Sequence, residues 1–341
     1  MKSQQNPYLL RAVDWNEVFP WILLRKCLRF GFSLRLLVCV TLTLAAWAVL
    51  FCWLFFGQWV LFIPDTKTYV DPLFQNPAWN RAFISNFVHV LSQSPAVWWA
   101  KFLLVGFFVL DIFFIQMIVA RMTAVRIATG IRPSLFHAAG MVWKRFPAAL
   151  AGLAFMVLGI GLSLLPVWLI SLLPTVLAGL LAPVAILFCF LAVFIILGAI
   201  FGLPLMLTAL MCENSDCFDA LSRAYAYSLQ RPMRYAFYLL AGAFFGILGY
   251  VAMHMLVALT VTLFTAFFGY FPRSPVIGFC ILTAWLLPIS FAVIYVTSLF
   301  SGIYMLLRRD VDAVELDEVW LPKSQGVPLP ELPKLKTDPK N

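Results

Sequence analysis

Residues 214–234, NSDCFDALSRAYAYSLQRPMR, form the most polar interruption in the last two-thirds of an otherwise apolar chain. A polar stretch of this length, set between two apolar runs that can each cross a bilayer, reads as a helix lying on a membrane. That reading makes the fold an all-α polytopic bundle. Within the stretch, Asp216 is placed to cap a helix, Asp219 strengthens its first turn and precedes Arg223 by one turn, and Pro232 stops it. Phe218, Leu221, Tyr225 and Leu229 recur at helical spacing as the expected lipid-facing stripe, and Arg231 and Arg234 hold the start of the next span.

The surrounding composition requires lipid as the solvent. Of 341 residues, 63% are hydrophobic and 11% charged, and the mean hydropathy is +0.94, outside the range of soluble domains. The 33 Phe and 12 Trp suit lipid-facing helices and headgroup belts. The start, MKSQQNPYLLRAVDWNEV, lacks the basic, apolar and small-residue order of a cleavable leader, so the first apolar run is expected to stay as an anchor.

Six stretches, about 34–57, 98–120, 148–172, 184–210, 235–267 and 276–307, reach the roughly 20 apolar residues that cross about 30 Å of hydrocarbon. The fifth and sixth exceed that length, so tilt or a kink is expected there, with Pro204 and Pro288 marking kinks in the fourth and sixth. The expected organisation is an amphipathic segment at 1–33, a six-span domain at 34–307 and a largely disordered tail at 308–341, acidic and then proline-rich.

Basic residues test the span assignment. Of the 24 Lys and Arg, all but Lys67, Arg81, Lys101 and Arg273 fall on one side of the six spans. The positive-inside rule makes that side and both termini cytoplasmic, as in a multi-pass protein of a bacterial inner membrane. The net charge of +9 therefore sets orientation and does not imply nucleic acid.

Three segments on that side share an aromatic and basic amphipathic layout followed by a span: DWNEVFPWILLRKCLRFGFSLR at 14–35, SLFHAAGMVWKRFP at 134–147, and DCFDALSRAYAYSLQRPMR at 216–234. They are read as interfacial helices. On the opposite side, Trp79, Phe83, Phe87 and Val90 form one more helical stripe, expected to lie on the outer membrane face.

Few residues carry candidate chemistry. Asp111 stands near mid-membrane, where an acid costs roughly 2.5 to 3.5 kcal/mol on insertion scales, so it needs a partner or a proton. It reads either as a proton or cation site or as a protonated acid bonded to a neighbouring helix. His254 is its candidate partner, although 20 residues from Arg234 would carry it about 30 Å, nearer the outer face. His89 and His137 fall on opposite sides, so the histidines do not converge on a metal, and Cys212 with Cys217 is weak as a zinc pair. Walker, GxGxxG, GxSxG and HExxH motifs are absent from the sequence. The expectation is a protein without catalysis or cofactor of its own. Membrane lipids and a membrane or cytoplasmic protein are its expected partners; a transporter or lipid exporter using Asp111 is the alternative.

FDALSRAYAYSLQRP at 218–232 and YMLLRRDVDAVELDEVW at 304–320 resemble a group of uncharacterised bacterial six-span membrane proteins. More loosely, the layout is similar to the membrane domain that accompanies some glycerophosphodiester phosphodiesterases. The resemblance implies architecture and carries no catalytic residue, because that chemistry resides in a separate soluble domain.

Overall fold

The computed structural model describes residues 20–56, 98–130, 133–268, 275–314 and 319. These residues form α-helices and no strand. After a 3-10 turn at Pro20–Ile22 come α1 (Leu23–Gly31), α2 (Leu34–Phe56), α3 (Trp98–Thr129), α4 (Leu135–Ser171), α5 (Thr175–Glu213), α6 (Cys217–Gln230), α7 (Pro232–Phe268) and α8 (Pro275–Asp312). All but α1 and α6 are long and apolar enough to cross a membrane. The expected stripe at Trp79, Phe83, Phe87 and Val90, and the tail after residue 319, lie outside the described residues.

Interhelical bonds fix an up-and-down order. Thr41 donates to Ser290 at 2.9 Å and Thr123 to Ser298 at 3.1 Å. The start of α4 meets the end of α5 through Arg145 and Asn214, and the start of α7 meets the end of α8 through Arg234 and Asp310. Successive long helices therefore run in opposite directions, and Pro20 and Asp312 share one end of the bundle. Among the described residues, the Lys and Arg other than Lys101 collect at that basic end.

Helix α8 is the central post. It packs against α2, α3, α5, α6 and α7, and against α1 as well. Small residues and hydroxyls make this possible: Leu299 lies over Gly242, the ring of Tyr295 over Gly246 and that of Phe291 over Gly249, so helices approach closely where a Cβ is missing. Tyr295 donates to the Gly242 carbonyl at 2.6 Å. Thr41, Thr123, Ser290, Thr297, Ser298 and Ser301 are all buried, each hydroxyl bonded across or along a helix.

Burial divides the molecule into two zones. Residues 205–212 of α5 and 303–307 of α8 are buried on every side, not on one face. In contrast, Ala192 is the one buried residue of α5 before Gly202, and beyond Met156 only Ser163 is buried in α4. The α4–α5 hairpin thus presents apolar side chains outward at one end and disappears into protein at the other. Exposed Leu180, Leu187, Phe190 and Phe194 suit acyl chains as solvent.

These zones correct two expectations. The surplus length of the last two long helices, expected to produce tilt or a kink, is enclosed by protein at the basic end: 303–307 of α8, and Tyr235 and Tyr238 of α7, are buried there. Hydropathy had counted residues buried in protein together with residues facing lipid. Second, residues 134–147 are not a separate interfacial helix, because α4 is continuous through Pro147 from Leu135 to Ser171. Segment 14–35 does contain a separate short helix, α1, ended at Phe32 and Ser33, and 216–234 contains α6.

Candidate functional site

The carboxyl end of α5 builds the most elaborate polar site. A helix leaves its last four carbonyls without intrahelical partners, and cations suit that end. Here Asn214 turns the chain with φ 56°, a left-handed conformation that Asn tolerates at a helix end. Arg121 Nη1 donates to the Met211 carbonyl at 2.8 Å. Arg145 Nη2 donates to the Asn214 carbonyl at 2.8 Å and its Nε to Asn214 Oδ1 at 2.7 Å. Two cations from α3 and α4 therefore close α5.

Glu213, the last residue of α5, joins three helices. Its side chain is 9% exposed. Tyr304 donates to Oε1 at 2.6 Å, Arg308 Nε stands 3.1 Å from the same oxygen, and Arg223 of α6 pairs with Oε2. Arg223 also holds Asp219 at 3.0 Å, and the hydrogen bond to Asp219 raises the pKa of its guanidinium. Tyr227 donates to Asp312; burial, and then that bond, raises the pKa of its hydroxyl. Asp310 receives Arg234 at 3.0 Å and Tyr238 at 3.1 Å. Every acid in this list is engaged by a cation or a tyrosine. Chemically the arrangement clamps α5, α6, α7 and α8 together and leaves none of these carboxylates without a partner.

Sequence reasoning singled out part of this clamp. The Asp219–Arg223 pair lies one turn apart as expected, and Arg234 lies at the start of α7 in an ion pair with Asp310. Arg231 is exposed. Asp216 occupies the cap position of α6 without a side-chain cap bond and stands 3.8 Å from Arg145 instead. The expected lipid-facing stripe is only half present: Phe218 and Leu229 are exposed, but Leu221 is buried. Tyr225 lies against α5, its ring within 2.5 Å of where a Cβ on Gly198 would sit. Glu213 itself was missed as a hub, since one carboxylate at the end of an apolar run has no local motif.

The intramembrane pair is arranged differently from the expectation. Asp111 Oδ2 accepts from Trp47 Nε1 at 2.9 Å, and Trp47 packs with Phe51 and Phe108 in an aromatic cluster with centroids 5.5 to 6.1 Å apart. His254 stacks with Tyr250 at 6.0 Å and meets Trp285 at 5.4 Å. Their heights agree, however: Asp111 precedes Thr123 by twelve residues and Trp285 precedes Ser298 by thirteen, on helices running the same way. The expectation that His254 lies nearer the far face is thereby corrected, because Arg234 sits deep in the basic end and not at the start of the lipid zone. Among the described residues, Asp111 bonds to Trp47 and His254 meets Tyr250 and Trp285, and these contacts do not join the two residues.

Among the described residues, no group of three His, Cys, Asp or Glu is placed to hold a metal ion. Compared with models of known families, with characterised proteins and with solved structures, the chain shows no match in any of the three.

Proposed function

We propose that the protein is an integral membrane protein without catalysis of its own, whose basic end faces the cytoplasm of a bacterium and organises lipid or a partner protein. The observation that supports this is the division of charge at that end. The carboxylates Glu213, Asp219, Asp310 and Asp312 are spent on holding helices together, whereas Arg25, Lys26 and Arg29 of amphipathic α1 point away from the bundle. Ties of this kind, centred on the largely buried Glu213 and Asp310, specify a rigid frame; outward cations on an amphipathic helix attract anionic surfaces.

The transport alternative draws on Asp111, at the same height as His254. The bond from Trp47 inside an aromatic cluster supports a structural role for this acid instead. One reconstitution separates the readings. In vesicles of mixed phosphatidylglycerol and phosphatidylcholine, the protein is expected to enrich labelled anionic lipid around itself without moving it between leaflets. Lipid movement that disappears in Asp111→Asn would replace this reading by the transporter. An even lipid distribution, with no protein bound at the basic end, would remove it.

A further inference from the structure

We infer that α1 is a belt at headgroup height that selects anionic phospholipids through Arg25, Lys26 and Arg29. This rests on the reading of the basic end as a lipid-organising face and narrows it to one helix and one lipid class.

Helix α1 divides its faces between protein and solvent. Leu23, Leu24, Cys27 and Phe30 are 0 to 4% exposed. Cys27 and Leu24 fill the room left by Gly302 of α8, Leu28 that left by Gly249 of α7, and the Phe30 ring lies under Arg126 of α3. The apolar stripe is therefore already satisfied by protein and is not free to sink into lipid. Arg25, Lys26 and Arg29, at i, i+1 and i+4, are left on the opposite, exposed face. No acidic residue occurs in α1, and among the described residues no carboxylate forms an ion pair with these three cations.

Helix α1 also lies at a height that suits headgroups. The crossing of α1 on α8 runs along that helix, from Gly302 beside Leu24 and Cys27 to Phe291 beside Gly31, and α1 meets α7 at Gly249 through Leu28. From Gly249 to the end of α7 at Phe268, and from the middle of the α8 crossing back to Pro275, there remain about 20 residues, or roughly 30 Å of helix. That is one hydrocarbon thickness. Two further cations share this height, Arg35 in the first turn of α2 and Arg126, whose guanidinium lies 4.7 Å over the Phe30 ring. Phe32 is 46% and Leu34 76% exposed just past the belt, placed to enter the acyl region while the cations stay at the phosphates.

A lipid is favoured over an acidic protein because the cations sit where the bilayer's own phosphates lie, flanked by exposed apolar anchors. The test uses the full chain in neutral detergent, titrated with phosphatidylglycerol or phosphatidylcholine, with bound lipid counted by native mass spectrometry. Phosphatidylglycerol is expected to bind more tightly. Each cation near an anionic surface is worth about fivefold in affinity, so replacing all three by Gln should weaken phosphatidylglycerol binding about a hundredfold. The charge-keeping variant Arg25→Lys with Arg29→Lys should stay within about fivefold. An unchanged thermal midpoint in the Gln variant establishes that it is folded, since the three side chains are exposed. If phosphatidylglycerol preference survives the triple replacement, the belt is refuted while the lipid-organising reading stands. If the unaltered protein shows no preference between the two lipids, the belt is refuted and the reading retreats to a protein partner. Capture of an acidic protein by α1 in place of lipid would likewise overturn the lipid assignment.

Discussion

Glu213 shows how much a single side chain decides in a lipid-adjacent core. With two arginines and a tyrosine directed at one nearly buried carboxylate, Glu213→Ala removes the acid that ties α6 and α8 to the end of α5, although Arg223 keeps Asp219. Glu213→Ala loses the tyrosine bond and both ion pairs and so costs more than Tyr304→Phe, which loses one hydrogen bond to a charged group, worth about 1.5–3 kcal/mol. Equilibrium unfolding in a denaturing detergent should rank the two in that order, and a Glu213→Ala loss below about 0.5 kcal/mol would refute the clamp. Cys27 makes stability depend on pH. Burial pushes its thiol from 9.0 up to about 12, so the folded chain keeps it protonated when the unfolded chain would ionise. Its contribution to stability is fully present below pH 9 and is lost as pH rises through about 12. Tyr227, also raised, contributes with the same sign. Stability measured from pH 8 to 11 should therefore fall, and Cys27→Ala should flatten the fall. At pH 8 a water-soluble thiol reagent should label half-exposed Cys217 and spare Cys27.

At the scale of elements, α6 shows what local pattern conveys and what it omits. The Asp219–Arg223 pair and the stop at Pro232 follow from chemistry within one or two turns, and both were legible. The partner of Tyr225 was not. It depends on Gly198, twenty-seven residues earlier, which leaves a recess for the ring, and no spacing rule within α6 reports a hole in α5. Another long-range contact joins α7 to this part of α5: Tyr235 donates to the Phe201 carbonyl at 3.0 Å. The continuity of α4 through Pro147 escaped for a related reason. Proline lowers the odds of a helix locally, yet packing on α3 and α5 on either side outweighs a cost of about 3 kcal/mol. The consequence for α6 is measurable. Gly198→Ala places a methyl against the Tyr225 ring, and overpacking of this sort costs about 1–3 kcal/mol. Hydrogen exchange in 217–230 should accelerate, and Tyr225→Ala combined with Gly198→Ala should restore much of the stability that the methyl removes. If exchange is unaltered in Gly198→Ala, α6 is not docked through Tyr225.

For the molecule as a whole, sequence hydropathy located six long helices and their common basic end, because both follow from sums over many residues. It failed to show where lipid stops and protein core begins, because Leu205 beneath α6 and Leu187 facing outward are the same residue type with different neighbours. Helix α5 contains that transition in one continuous element. Through residues 175–201 its side chains other than Ala192 are at least partly exposed, and from 205 to 212 they are enclosed on all sides. Nitroxides introduced singly along α5 should therefore divide into two classes. Those at exposed positions such as Leu180, Leu187 and Phe194 should collide freely with oxygen dissolved in acyl chains and hardly at all with a water-soluble nickel reagent. Those between Leu205 and Cys212 should be shielded from both probes and immobilised, with no 3.6-residue oscillation, since no face of that segment is free. Substitution by the label at the buried positions is itself destabilising, so the same scan belongs on the amide hydrogens of the unaltered protein, where 205–212 and 303–307 should exchange last. Oxygen accessibility that continues with helical periodicity through residue 212, together with exchange in 205–212 as fast as at the helix ends, would mean that the hairpin is lipid-bound along its full length. The clamp around Glu213 would then lie at a bilayer surface and not inside a protein core.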